Sequence, residues 1–522
     1  MVAPPKVTYE TFAAGAEQAS AFSAAVAQMA GRLGEQHPFY VGGAALMGDG
    51  WEDEHSPGDS RVLVGRFATA SLEDFDRAVT EARRFSAEWA ATDWRERVKL
   101  VSGVSAAVAG RRYELAAILA HEIGKPLLEA LGEVDECVVL VDYYCEQMLA
   151  HGGFSVEMGP SAAGAAEHAY SMMRPYGVWA VIGPFNFPMA LLLGPIAAAL
   201  IAGNTVVAKP SPRGYLSGLA VYELFRQAGV PAGALHMLSI PQERLGEALY
   251  GHRGIDGLTF TGSHATGMQV FHGFSREYPR PAICEMGGKN SAIVTAAADL
   301  RKAALGVARS AFGFSGQRCS GCSRVLVARA VHADFLGLLE EQRQQVQVAS
   351  PMDPATKVGP VISREPVQRL LDAARECREA GWPVHGGREL TAGELRYGNY
   401  VEPTVAEIPS DSRLLREELF TPFVAVRPVD SLGEALALTN GLVFGLTAGL
   451  YSQYSEEIER FEREVKAGVV YVNREAGATT GAWPGIQSFG GWEGSGSTGR
   501  GAGGIHYLQQ YMREQSLTVV DS

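Results

Sequence analysis

At 522 residues, with 47% hydrophobic and 20% charged side chains, the chain is long enough for two or three lobes and has the make-up of a globular protein in water. A net charge of −13, from 45 Lys+Arg against 58 Asp+Glu, argues against a nucleic-acid binder, and no Lys/Arg run exceeds two residues. Six cysteines (Cys137, Cys145, Cys284, Cys319, Cys322, Cys377) make no disulfide framework, and "MVAPPKVTYETFAAGAEQAS" has neither a signal peptide's apolar core nor a transit peptide's arginines, so the expected setting is cytoplasmic.

The first part reads as helical. Ser71-x-x-Asp74 is a capping box, and Phe75, Ala78, Val79, Ala82, Phe85 and Trp89 follow it near helical spacing. A second helical region spans about Trp94 to Leu149, punctuated by Gly110 and Gly124-Lys125-Pro126. Its acidic run, Glu133, Asp135 and Glu136, reads as a solvated face.

Residues 175–208 carry no charge and imitate a membrane span. Pro184, Asn186, Pro188 and Pro195 break the run, whereas a span needs about 20 continuous apolar residues. The stretch therefore reads as a buried strand, a loop and a buried helix. Strands at Val178–Ile182, Thr205–Ala208, His236–Ser239 and Leu258–Thr261 alternate with the helical stretches "MALLLGPIAAALIAGN" and "YLSGLAVYELFRQAG", which predicts a parallel, doubly wound sheet. A second alternating region runs from about Ala282 to Asn473. There Ala303–Phe312, His332–Val346 and Pro366–Ala380 read as helices, and Val325–Ala328, Val424–Val426 and Gly468–Val472 as strands. The glycine-rich "SFGGWEGSGSTGRGAGG" leads into the tail "IHYLQQYMREQSLTVV".

Four stretches could carry chemistry in this frame. "FTGSHATG" puts Gly262 and Ser263 between a strand and a helix, where free N–H groups and the helix dipole suit a pyrophosphate; a purely steric reason for Gly-Ser remains open. "GPFNFP" holds the polar Asn186 inside an uncharged run, "VVAKPS" puts Lys209 after a buried strand, and "CEMGGKN" ends a strand on Glu285. Each, taken singly, also has a structural reading. In "GFSGQRCSGCSR", zinc lacks two further ligands at short spacing, and a thioredoxin-type pair would sit near the first strand of a small unit. A nucleophilic Cys319 remains, with Cys322 a packed neighbour or a disulfide partner. A Cys–His hydrolase dyad stays open, although no histidine has a suggestive setting.

Taken in order, "GPFNFP", "GNTVVAKPS", "FTGS", "EMGGKN", "GFSGQRCS", "EELFTPF" and "SFGGWEGSG" resemble the NAD(P)-dependent aldehyde dehydrogenase superfamily over nearly the whole chain. "HPFYVGG", "TGAWPGIQSFGG" and "HYLQQYMREQS" are similar to its glutamate-semialdehyde branch. The resemblance implies an α/β fold of aldehyde dehydrogenase type: two Rossmann-like, doubly wound parallel-sheet domains plus a small oligomerisation hairpin. The corresponding boundaries are a helical part of the cofactor domain at 1–150, the hairpin at 151–174 and an NAD(P)-binding core at 175–284. A catalytic domain follows at 285–480, then a substrate-anchor loop at 481–503 and an oligomerisation tail at 504–522. The hairpin and tail are expected to pair between subunits.

The same resemblance implies the site. Cys319 attacks the aldehyde, the Asn186 amide and the Cys319 N–H hold the oxyanion, and Glu285 activates the hydrolytic water. Lys209 holds the adenosine ribose, Ser263 the pyrophosphate and Glu418 the nicotinamide ribose, while Phe420 packs beside the nicotinamide. Ile182, Pro184, Phe185, Ser211, Gly262 and Gly287 complete the cofactor's surroundings. Ser320, Gly481 and Ala482 hold the substrate's α-carboxylate, Phe187 and Phe489 flank its aliphatic chain, and Glu136 meets its ammonium. No metal is implied. The implied cofactor is NAD, with NADP left open because Ser211-Pro212 stands where many relatives carry a glutamate. Thr421 replaces the usual glycine, and the loop from Asn473 to Gly481 is about three residues longer than in the branch. The implied partners are a small aldehyde and at least one further copy of the chain, with neither membrane nor nucleic acid. Another semialdehyde, an aromatic aldehyde, or a cofactor-independent esterase are the alternative readings.

Overall fold

The computed structural model describes residues 7–8, 11, 13–159, 167–477 and 483–520. Two seven-stranded sheets organise it. The first has the spatial order Ala282–Glu285, Gly257–Thr261, Val178–Ile182, Thr205–Lys209, Leu235–Met237, Phe39–Val41, Ala44–Leu46. Its first five strands are parallel, and the last two are added by antiparallel pairing. The second runs Val384–His385, Thr404–Glu407, Phe423–Val429, Cys322–Ala328, Asn290–Val294, Thr447–Tyr451, Val469–Val472, parallel throughout except at Val384–His385. The expected α/β architecture of two doubly wound sheets is present, with strand positions within a few residues of those expected.

Two expectations for the N-terminal part need correcting. It is not wholly helical: strands occupy Gln36–His37, Phe39–Val41, Ala44–Leu46, Gly50–Ser56 and Asp59–Thr69 between the helices Ala16–Ala30 and Leu72–Ala91. Gly42 and Gly43, both at positive φ (58° and 83°), form the two-residue turn that returns Phe39–Val41 onto Ala44–Leu46. In "GWEDEHS" burial alternates with period two, a strand signal hidden because most of the residues are polar. The expected capping box is present: Ser71 Oγ accepts from Asp74 N at 3.1 Å, and Asp74 Oδ2 accepts from Ser71 N at 2.9 Å.

The acidic run of the Leu127–Ala150 helix is the second correction, because Glu133 and Asp135 are buried and only Glu136 is half-exposed. Asp135 accepts from Arg112 Nε at 2.7 Å and from Val7 N at 2.6 Å, tying down the N-terminal segment. Glu133 Oε1 accepts from Met189 N at 2.8 Å and Ala190 N at 3.1 Å, satisfying the first turn of the buried helix Ala190–Ala202. Its other oxygen is paired with the Lys125 ammonium, which no water reaches. That ammonium also lies 3.5 Å from the ring centroid of Phe187 and 4.7 Å from that of Phe314. Burial lowers the Lys125 pKa, and the Glu133 carboxylate opposes the shift.

The tail strand Met512–Val520 pairs antiparallel with Glu167–Pro175 of the same chain, from Met512 opposite Pro175 to Val520 opposite Glu167. The hairpin and tail were expected to pair between subunits; here they pair with each other. Ser155–Glu157 adds a third strand. Among the described residues no helix is long and apolar enough to cross a membrane.

Removing one half of the Lys125–Glu133 pair leaves the other charge buried. Lys125→Met is expected to destabilise the fold by about 3–5 kcal/mol in urea unfolding, and Lys125→Met with Glu133→Gln to recover part of that loss. A Lys125→Met protein as stable as the parent would show that the pair does not hold these elements.

Candidate active site

The helix Leu300–Phe312 delivers the chain to a turn that few sequences tolerate. Phe314, Ser315 and Gly316 all have positive φ (47°, 54° and 68°), a cost of about 1–3 kcal/mol for each of the two side-chain-bearing residues. Several contacts offset it. Ser315 Oγ donates to Gly359 O at 2.6 Å, Gln317 Oε1 accepts from Ile362 N at 2.8 Å, and Phe314 is wholly buried beneath Lys125. Gly316 faces the Thr421 carbonyl so closely that an added Cβ would overlap it. Past the turn, Asn290 Nδ2 donates to Cys319 O (2.6 Å) and Gly321 O (2.9 Å), while its Oδ1 accepts from Thr447 N (3.0 Å). Asn290 and Gln317 lie in the quoted motifs "EMGGKN" and "GFSGQRC" but drew no role from sequence; a buried amide inside each glycine-rich turn was the available signal.

Cys319 therefore occupies a fixed position, and Asn186 approaches it from the other domain, its Nδ2 donating to Gln317 O at 3.0 Å. Burial pushes the Cys319 thiol up to about 12, helped by the Glu418 and Glu285 carboxylates and opposed by the amides of Ser320 and Cys319 itself. Cys322 is a packed residue of the second sheet's core: its N donates to Ser310 Oγ at 2.9 Å and its Sγ meets Arg324 O at 3.4 Å. All six cysteines are free.

Glu285 ends its strand beside the glycine-rich loop, where its Oε2 accepts from Gly491 N at 3.1 Å and its Oε1 is buried without a partner among the described residues. Burial raises its carboxyl to about 8, the Gly491 amide opposing. Glu285 and Cys319 line one cavity together with Glu136, Phe187, Phe489 and Tyr507. Ser320 is not among its lining residues: it is buried, its Oγ has no partner among the described residues, and its carbonyl accepts from Thr447 Oγ1 at 3.2 Å. Gly481 and Ala482, with part of the lengthened loop, lie outside the described residues.

The residues expected around a dinucleotide gather at the carboxyl ends of the first sheet. Strand order reverses between Val178–Ile182 and Gly257–Thr261, the switch point at which open α/β sheets bind ligands. Ile182 ends one strand there, and Gly262 and Ser263 follow the other. Ser263 caps the helix His264–Phe274, its Oγ accepting from Thr266 N at 3.3 Å, and the first turn carries the positive end of the helix dipole. Lys209 ends the neighbouring strand with its ammonium 3.4 Å from Pro210 O, and Ser211 Oγ accepts from Arg213 N at 3.2 Å. From the second domain, Glu418 Oε1 accepts from Gly288 N at 3.0 Å, and burial raises that carboxyl to about 7. Gly287 passes so close to the Glu418 carboxylate that a Cβ would displace it. Phe420, at φ 53°, meets Phe185 edge-on with centroids 5.9 Å apart, and Pro184 stands on the same loop as Phe185. An ammonium, a helix N-terminus and a carboxylate, one each, form a donor and acceptor set that fits a pyrophosphate flanked by ribose diols.

A sequence model of the Aldehyde dehydrogenase family matches residues 51–517, and the chain belongs to that family. It is 32% identical over 505 residues to the 1-pyrroline-5-carboxylate dehydrogenase of Geobacillus kaustophilus, covering 95% of this chain and 96% of that one. It is 32% identical over 493 residues to the enzyme of the same name from Anoxybacillus flavithermus, covering 93% of each. Among solved structures, 1-pyrroline-5-carboxylate dehydrogenase from Thermus with bound NAD superposes with a TM-score of 0.92 at 30% identity, covering the whole of both chains.

Gly316→Ala forces the nucleophile turn away from Thr421. Displacements of this size cost about a hundredfold in rate, so kcat is expected to fall by at least about that factor with the protein still folded by circular dichroism. Activity within threefold of the parent would mean the turn is not held by this contact.

Proposed function

We propose that this chain oxidises L-glutamate γ-semialdehyde, the open form of 1-pyrroline-5-carboxylate, to L-glutamate, in a proline-catabolic step. The observation that carries the reading is the shared cavity of Cys319 and Glu285, with the residues expected around a dinucleotide gathered at the switch point of the first sheet. The names of the similar enzymes support the substrate, and the NAD bound to the Thermus enzyme supports the cofactor. Nothing in Ser211-Pro212 would repel a 2′-phosphate, so NADP is expected to serve less well rather than not at all.

In this reading the Cys319 sulfur attacks the aldehyde carbon as the proton of its neutral thiol is lost to solvent. The second N–H of Asn186 and the Cys319 N–H hold the oxyanion, each donor contributing about 3 kcal/mol in the transition state. NAD, when bound, supplies the hydride acceptor. Lys209 and Ser263 hold the adenosine ribose and pyrophosphate, Glu418 fixes the second ribose, and Phe420 packs against the reacting ring. The thioester left on Cys319 is hydrolysed by a water that Glu285 deprotonates. Phe187 and Phe489 flank the aliphatic chain, Glu136 meets the ammonium, and Gly481 and Ala482 hold the α-carboxylate. The working unit in this reading is at least a dimer in the cytoplasm. Exposed apolar residues on the tail-and-hairpin sheet, among them Val156, Leu517 and Val520, favour burial against a second copy. The catalytic domain is taken to begin at Glu285, where the first sheet ends.

Two measurements test this. On a panel of aldehydes with NAD, glutamate semialdehyde is expected to give the highest kcat/KM, by at least about tenfold over propanal and succinate semialdehyde. Equal values would overturn the substrate. Since Glu285 works deprotonated and its carboxyl sits at about 8, kcat is expected to rise with pH through about 8 and level off above it. A profile flat from pH 6 to 9 would remove Glu285 from the limiting step.

A further inference from the structure

Part of the wall of the Cys319–Glu285 cavity is an arch of the glycine-rich loop, which contributes Pro484, Phe489 and Ala502. The two limbs of the arch are bonded to each other at two levels. Phe489 N donates to Ala502 O at 2.9 Å and Ala502 N to Phe489 O at 2.7 Å, while Gly485 N donates to Gly503 O at 3.0 Å. The Phe489 ring therefore goes where this backbone goes. Another part of the wall is the Leu127–Ala150 helix, which presents Glu136, Leu140 and Tyr144 at spacings of four residues, along one face.

Among the described residues, two backbone N–H groups of the arch donate to side chains elsewhere in the wall. Gly491 N donates to Glu285 Oε2 at 3.1 Å, and Gly503 N donates to Tyr144 Oη at 3.1 Å. Both directions are fixed, because a backbone N–H can only donate. Gly503 is suited to its role: at φ 68° it is left-handed, and a Cβ there would lie 2.8 Å from Pro484 Cα.

The two ties differ in permanence. Glu285 is read as the general base, so it accepts less strongly whenever it takes a proton. Tyr144 takes none in that reading. Burial pushes its phenol well above the ordinary tyrosine value, so its oxygen keeps one charge state through the cycle. Its ring is buried and stacked on Tyr507, with centroids 5.3 Å and planes 20° apart.

We propose that Tyr144 is a positioning residue for substrate specificity: by holding Gly503 N it keeps the arch, and with it Phe489, against the chain of the bound aldehyde. The inference rests on the reading of Phe489 as a flank of that chain. The aldehydes it selects are those whose chain extends well past the reacting carbon, as in an amino-acid semialdehyde. Propanal ends two carbons beyond that carbon and gains little from the arch.

Steady-state kinetics of Tyr144→Phe, with NAD, propanal and the panel's preferred aldehyde, test this. The variant keeps the ring and its stacking and removes one acceptor. KM for the preferred aldehyde is expected to rise about tenfold, the worth of one hydrogen bond, with kcat within twofold of the parent's. The kcat/KM for propanal and the Kd for NAD are expected to stay within twofold. A general loss of packing would instead lower both aldehydes together. Gly503→Ala breaks the same tie from the loop, where no core residue changes. It is expected to give the same pattern, and it carries the test if Tyr144→Phe fails to fold. An unchanged KM for the preferred aldehyde, or an equal loss on propanal, would overturn the proposal. If the parent prefers another long-chain aldehyde to glutamate semialdehyde, the substrate reading fails and Tyr144 is judged on that aldehyde. If the parent prefers propanal, both fail.

Discussion

A lysine ammonium sealed from water holds both halves of the site at one point. Lys125 pairs with Glu133, which in turn satisfies the first turn of the Ala190–Ala202 helix, and it rests on the rings of Phe187 and Phe314. Phe187 follows the proposed oxyanion donor Asn186, and Phe314 begins the strained turn that ends in Cys319. The two rings meet edge-on with centroids 6.3 Å apart. A buried ion pair is an expensive way to gain stability, and well-packed apolar residues often do as well. What it provides here is register: a charge with one partner and two π faces leaves little freedom to the loops around it.

The second constraint is the tension between Cys319 and the carboxylates near it. Burial together with Glu418 and Glu285 keeps the thiol neutral at rest, and burial keeps Glu285 largely protonated at neutral pH. An unreactive resting thiol is protected from oxidation and stray acylation. Reaction then requires that the proton leave to solvent as the sulfur attacks, and the Glu285 carboxylate acts on water afterwards. Asn290, bonded to the carbonyls of Cys319 and Gly321, keeps the nucleophile in place between the two steps.

Most of the fold was legible because it is local. Uncharged runs such as Val178–Ile182 and the helical spacing from Phe75 to Trp89 state their burial directly. The hairpin at 50–69 was not, because its alternation is between polar residues of different burial rather than between polar and apolar ones. The Glu133 and Asp135 carboxylates misled for a different reason. Their partners, Met189 N and Val7 N, lie 56 and 128 residues away, and no window on the sequence shows a carboxylate capping a distant helix. Cys319, Glu285 and Asn186 were legible as motifs and only as motifs; that Cys319 and Glu285 share a cavity is a property of the packing.

The central claim is that one thiol, Cys319, carries the substrate's carbon between two chemical steps. Intact-protein mass spectrometry of the Glu285→Gln variant, after exposure to NAD and glutamate semialdehyde, tests it most directly. The account predicts one added acyl group per chain, as a thioester located on Cys319 by peptide mapping and discharged by hydroxylamine. An unmodified chain after NADH has formed, or an adduct on Cys322 or any other residue, would contradict it.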